Sequence, residues 1–232
     1  MNKGLGLGLF LMGISSAWAY VPPAGFVLGH TVSQRSGLKS IEWTAKVTDL
    51  NSKSVFKEAL RIDFQSGKVT AIYSSPSDEP LGSIQTSIAS LHRLGKFWLG
   101  ISLDPSMSRV KEALLELNVL PAEGEEAKLG RSKGKPVWFW GNESRIEFEK
   151  DEFNPISYQG GADATSDGVF FDGFAIASAK AKAPKLVRVR TQTFDTYQFE
   201  LKSIKTDSPL KEKMQASTLQ QAAVKEWVSL VR

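Results

Sequence analysis

Cysteine is missing altogether from the 232 residues, and histidine occurs only twice, as His30 and His92. The first absence excludes disulfides, thiol chemistry and a lipid anchor on cysteine, so core packing alone must hold the fold. The second leaves too few ligands for an ordinary zinc site, which takes three or four, and no H-x-x-x-H spacing occurs. A strong charge excess is missing too. The 29 Lys+Arg stand against 25 Asp+Glu, a balance of +4 with no basic run, so composition does not point to nucleic acid. The apolar run at 5–14 is too short to span a bilayer, which takes about 20 residues. No internal repeat and no low-complexity tract is present.

What is there begins with an address. Lys3 supplies a positive start, Leu5 to Ile14 with Phe10, Leu11 and Met12 an apolar centre, and Ala17-Trp18-Ala19 small residues ahead of Tyr20. This pattern predicts a cleaved secretory signal over 1–19. The remainder, 20–232, is long enough for one sizeable domain and short for two. Export without cysteine is ordinary in a bacterial periplasm, which is the expected location. The sequon at Asn142 is then incidental.

Alternation of polar and apolar residues dominates the exported part. Ile41, Trp43, Ala45 and Val47 share one strand face; Phe56, Leu60, Ile62 and Phe64 follow after a turn at 51–54; Gly67 turns the chain into a third strand over 69–74. Ile84, Ile88 and Leu91 are spaced by four and three, which predicts a helix over 83–94. Asp104-Pro105 reads as an N-cap before a second helix, 105–118, with Val110, Leu114 and Leu117 as its stripe. Charged residues 123–135 read as a loop. Strands are expected at 137–140, around Ile146 and Phe148, and over 153–159, 169–177, 186–193 and 196–204. In the last pair, Val187 and Val189 face Tyr197, Phe199 and Leu201. Ser217-x-x-Gln220 has the spelling of a capping box and predicts a C-terminal helix over 217–231, with Leu219, Ala223, Trp227 and Leu230 on one stripe. The class is α+β: a large curved antiparallel sheet, a half-open β-barrel of nine or ten strands, covered by two or three helices.

Catalytic spellings are few and badly placed. Gly130-x-Ser132-x-Gly134 matches a nucleophile elbow, but it follows an acidic loop and precedes a strand, where the elbow needs a strand-to-helix turn. Ser108-x-x-Lys111 lacks the partner motifs of a serine–lysine hydrolase. Glu147 and Glu149 alternate with Ile146 and Phe148, which puts them on a wet strand face beside Asp151 and Glu152 and not in a glycosidase pair. The glycines at 4, 6 and 8 lie inside the signal. No catalytic residue, metal or cofactor is therefore expected.

The informative feature is apolar. Trp43, Phe56, Ile62, Phe64, Tyr73, Trp138, Trp140, Phe148, Phe153, Phe174, Tyr197 and Phe199 come from many strands and face one way. A sheet curled around them encloses a concave cavity, the place where antiparallel barrels hold ligands. Ile84, Ile88, Leu91, Val110 and Leu114 would line the lid helices above it.

The order of elements resembles the periplasmic outer-membrane lipoprotein carriers, the LolA-like fold. The resemblance rests on the signal without a lipobox; on the opening strands 41–47 and 59–64 with Gly67-Lys68-Val69; on the aromatic strand 137–140 and the step Phe153-Asn154-Pro155; and on the close, Asp172-Gly173-Phe174, then Pro184 to Val189, then Tyr197 to Lys205. It implies binding without catalysis, with acyl chains of lipoproteins or another lipid shielded on the concave face, and membrane contact only in passing. A sensor or adaptor module on the same fold, binding an envelope protein or peptide, is the alternative. The family's lid contact uses an arginine near the third strand; Lys68 is the nearest counterpart and Arg61 precedes it. The C-terminal helix is not expected of a typical member.

Overall fold

The computed structural model describes residues 21–161, 167–178, 181–192, 194–208 and 216–232, so the signal expected at 1–19 lies outside the described residues. Its frame is one open antiparallel sheet of 11 strands in the order β4-β3-β2-β1-β11-β10-β9-β8-β7-β6-β5. One meander holds β1 (Ser40–Asp49), β2 (Val55–Asp63), β3 (Lys68–Ser74) and β4 (Pro80–Ser87). A second holds β5 (Lys128–Ser132), β6 (Lys135–Trp140), β7 (Arg145–Glu149), β8 (Pro155–Gln159), β9 (Gly168–Ser178), β10 (Ala181–Thr191) and β11 (Phe194–Thr206). The meanders are sewn together where β1 pairs with β11, from Ile41–Thr206 to Asp49–Tyr197, with a bulge between Thr44 and Ala45. The expected facing of Val187 and Val189 is the observed register: Val187 lies opposite Phe199 and Val189 opposite Tyr197.

Among the described residues four α-helices accompany the sheet: α1 (Ala24–Ser33), α2 (Arg93–Gly95), α3 (Met107–Glu116) and α4 (Ala222–Val231). The segment between β4 and β5 carries a short 3₁₀ turn, Ile88–Ser90, then α2, which widens into a π-helix over Lys96–Ile101, then α3. Inward side chains from both meanders join one core with this segment, α1 and α4, so the sheet curls around a shared centre. No helix among the described residues is long and apolar enough to cross a membrane.

Several expectations are corrected. The helix over 83–94 is instead β4, a 3₁₀ turn and α2. Ile84 sits on a strand opposite Ala71, and its helical spacing to Ile88 and Leu91 is a coincidence of an edge strand with little alternation. The loop over 123–135 contains β5, which closes a tight hairpin with β6 through Lys133 and Gly134, both at positive φ. The strand expected from Phe153 starts at Pro155, because Phe153 itself turns at φ 54°. The middle helix runs Met107–Glu116 and not 105–118; the Asp104 side chain accepts the Ser106 N–H at 2.8 Å rather than capping it. At the C-terminus Ser217 bridges to Ser83 on β4, and the helix begins only at Ala222. Finally, α1 occupies Ala24–Ser33, for which no helix was expected.

Candidate functional site

The site is the inner face of the sheet and what covers it. Of the ten residues expected to line a cavity, Trp43, Phe56, Ile62, Phe64, Tyr73, Trp138, Trp140, Phe148 and Phe199 are all buried, while Phe174 is half-buried. They do converge. They are met, however, by side chains of the chain itself: Leu94, Phe97, Trp98, Leu99, Ile101 and Leu103, from α2, the π-helix and its exit, are buried among them. Trp98 is 0% exposed and sits at the centre. Its ring stacks on Trp43 at 5.7 Å and 10°, and meets Phe199 edge-on at 4.6 Å and Trp227 of α4 at 5.8 Å. Phe97 does the same in the other meander, lying on Phe171 at 5.2 Å and Tyr158 at 5.7 Å. Further along, Trp140 stacks on Phe148 at 4.8 Å and donates its indole N–H to the Val119 carbonyl at 2.8 Å. The inner face is thus occupied by an aromatic plug. Among the expected lid residues, Val110 and Leu114 of α3 and Ile88 and Leu91 ahead of α2 are buried beneath the covering segment, and Ile84 packs from β4.

Three polar devices hold the cover down. Asp104, fully buried, receives Arg109 through Nε at 2.7 Å and Nη2 at 2.8 Å, and the same Nη2 donates to the Phe64 carbonyl at 2.9 Å. These bonds to Asp104 hold the Arg109 pKa above its ordinary value. From α1, buried Arg35 donates to the carbonyls of Ile101 and Asp104 at 2.8 and 3.2 Å; burial pushes its guanidinium down, against the pull of Asp104. The third lies under α4. Glu58 of β2, 0% exposed, accepts Arg232 at 2.7 and 2.8 Å, the indole N–H of Trp227 at 2.9 Å and that of Trp43 at 3.2 Å. The Arg232 guanidinium lies over Trp98 at 5.1 Å. Burial, and then the Glu58 charge, push the Tyr73 phenol well above the usual range. Two glycines make room for this arrangement. A Cβ on Gly95 would lie 2.1 Å from the Val231 carbonyl oxygen, and one on Gly82 would lie 2.6 Å from that of Thr218.

Trp98, Phe97, Trp227, Glu58 and Arg232 were not among the residues expected at the site. Arg61, the candidate lid arginine, pairs with Glu42 and donates to the Ser208 carbonyl at 2.9 Å; Lys68 is exposed at the start of β3. Arg109 and Arg35 make the contacts that fasten the cover.

Hollows lie on the opposite, outer face. One, about 320 Å³, opens between the β5–β6 hairpin and β9, floored by Val137, Ile156 and Phe170 with Lys133, Lys135 and Asp151 at its rim. Two others, about 690 and 250 Å³, lie along β1 to β3 around Thr44, Ala59 and Ile72. Glu147, expected on a wet face, is buried: it accepts Ser157 Oγ at 2.8 Å and pairs with Arg145 at 2.7 Å, which is itself stacked 3.8 Å over Phe139. Ser132 sits at a hairpin end and Ser108 shares a hydrogen bond with Ser106 at 3.0 Å. His30 rests on the Phe153 ring at 4.8 Å and His92 is exposed. Among the described residues no cluster of three metal-binding side chains occurs.

No protein-family model matches the sequence, and no curated protein matches it. Solved structures do match in shape. A domain assigned to outer membrane lipoprotein sorting from Vibrio parahaemolyticus superimposes with a TM-score of 0.53 at 11% identity, covering 81% of this chain and 93% of that one. A DUF1329 family protein from Desulfovibrio piger gives 0.41 at 9% identity, over 82% and 95% of the two chains. MucB in the Pseudomonas aeruginosa MucA/MucB complex gives 0.34 at 10%, over 81% and 58%. The chain has the LolA-like fold of lipoprotein-sorting domains, at an identity that speaks for the fold alone.

Proposed function

We propose that this chain is a non-catalytic binding module of the bacterial cell envelope, exported by residues 1–19, that recognises a protein or peptide segment by surface contact. The observation that carries this reading is the aromatic plug. The concave face on which a carrier of this fold would seat acyl chains is filled by Trp98 and its neighbours, while hollows lined by described residues open on the outer face. The assignment of the Vibrio domain to lipoprotein sorting supports a place in the envelope.

A second reading, the acyl-chain carrier, is favoured by one feature of the plug. Its six apolar side chains come from one continuous stretch. At about 1.5–3 kcal/mol each, their burial contributes roughly 9–18 kcal/mol, against about 13 kcal/mol for burying a 16-carbon chain at ~0.8 per CH₂. Exchange of plug for lipid would then be close to balanced.

Native mass spectrometry of protein purified from the periplasm separates the two. The adaptor reading expects the bare mass and no uptake of a fatty-acyl probe. A lipid retained one-to-one would overturn it in favour of the carrier.

A further inference from the structure

The sheet is open and has two edges, β4 and β5. The first is covered along part of its length. Ser217 donates its N–H to the Ser83 carbonyl at 3.1 Å and Gln220 to that of Leu81 at 2.9 Å. The second is bare. β5 pairs with β6 from Lys128–Phe139 to Ser132–Lys135, and among the described residues no hydrogen bond reaches its other side. Every second residue of such a strand turns an N–H and a C=O outward, a ready template for one more strand. Lys128, Leu129 and Arg131 are exposed, Leu129 to 55%.

Charge decides what fits. The stretch 128–135 carries Lys128, Arg131, Lys133 and Lys135 and no acid. Lys133 pairs with Asp172; the other three have no ion pair among the described residues. A cationic edge repels a second copy of itself, which is how edge strands avoid joining end to end. The same charges attract an acidic strand. Lys128 lies opposite Phe139, on the outer face, and Arg131 opposite Pro136, on the other, so acidic side chains find a cation on either face. Gly130 is required on this strand: a Cβ there would lie 2.8 Å from the Phe139 ring, which packs against the strand with Arg145 over its face.

We propose that the β5 edge is a docking site for an acidic extended segment of a partner protein, which adds to the sheet as a further strand. This rests on the adaptor reading above and names its partner's chemistry. At ~3.4 Å per residue, five residues span about 17 Å, enough for a peptide of five to seven residues.

The test uses the mature chain and a fluorescein-labelled heptapeptide of alternating glutamate and valine. Anisotropy should report binding that weakens as salt rises. Hydrogen exchange should slow by about tenfold at 128–132 and not elsewhere in the sheet. A probe methylated on alternate backbone nitrogens should bind about tenfold more weakly with no change to the protein. Lys128→Glu with Arg131→Glu should have a similar effect while thermal unfolding stays that of the parent. Equal binding of the methylated probe, indifference to the charge reversal, or protection confined to another segment would each overturn the site while leaving the adaptor reading standing. No binding at about 1 mM peptide, with anionic vesicles or a retained lipid binding instead, would remove both.

Discussion

The buried Glu58–Arg232 pair gives the sharpest test of how the cover is fastened. Both side chains are 0% exposed, so neither water nor salt screens the charges, and Glu58 also accepts two indole donors. Replacing Arg232 with methionine leaves the Glu58 carboxylate buried without its cationic partner, held by the indole donors of Trp43 and Trp227. Removing one member of such a pair costs about 3–5 kcal/mol, because the survivor keeps its desolvation penalty without the compensating charge. For a chain of this length each kcal/mol moves the midpoint by about 2–4 °C, so Arg232→Met and Glu58→Leu should each lower Tm by roughly 6–20 °C. The double variant removes both charges together and should recover most of that loss, since apolar replacements of a buried pair are often neutral or stabilising. Urea unfolding of the parent, both singles and the double closes the cycle. Additive losses, or a single variant costing less than about 1 kcal/mol, would refute the reasoning and mean that water reaches the pair.

Three further outcomes follow from the same interior. Gly95→Ala should destabilise the protein and raise amide exchange in α4, because the new Cβ meets the Val231 carbonyl at 2.1 Å; unchanged exchange there would show that the helix is not seated as described. Trp98→Ala should cost about 3–5 kcal/mol and create a dry cavity among Trp43, Phe199 and Trp227, and gain of stability on adding a small aromatic such as indole checks that the cavity is there. The phenols of Tyr73 and Tyr197 are both raised, chiefly by burial. The folded state therefore holds protons that the unfolded chain releases above about pH 10, and stability that is full below that pH is lost as pH rises through it. Absorbance near 295 nm should show these two tyrosines ionising only with unfolding; ionisation ahead of unfolding would contradict their burial.

Much of the sheet was legible because alternation is a direct image of one wet and one dry face. The strands around Trp43, Ile62 and Phe199 all satisfy it. β4 escaped because an edge strand is only partly covered, so Pro80–Ser87 carries little apolar signal, and Ile84, Ile88 and Leu91 mimic a helix by chance. α1 is different. Its buried residues Ala24, Val27, Leu28, Thr31 and Val32 do follow helical spacing, and Pro23 fits the position before a first turn, but Gly25 and Gly29 masked the pattern. Of the site, the apolar lining could be read and its filling could not. Residues 97–103 are apolar on every side, which announces burial but not which surface they meet. Glu58, framed by alternating Phe56 and Leu60, held a usable clue: a charge on the dry face of a strand needs a partner, and Arg232 at the end of the helical stripe through Trp227 supplies it.

The seam between β1 and β11 joins residues at opposite ends of the described chain, Ile41 with Thr206 and Asp49 with Tyr197. A polypeptide emerging from its N-terminus can assemble β1 to β4 at once, yet one flank of β1 stays without its neighbour until residue 206 has appeared. Closure of this long loop is entropically costly and slow compared with forming the local hairpins. The barrel half therefore comes together last, and a fragment ending before β11 would present a raw strand flank together with the unroofed rings of Trp43 and Phe56.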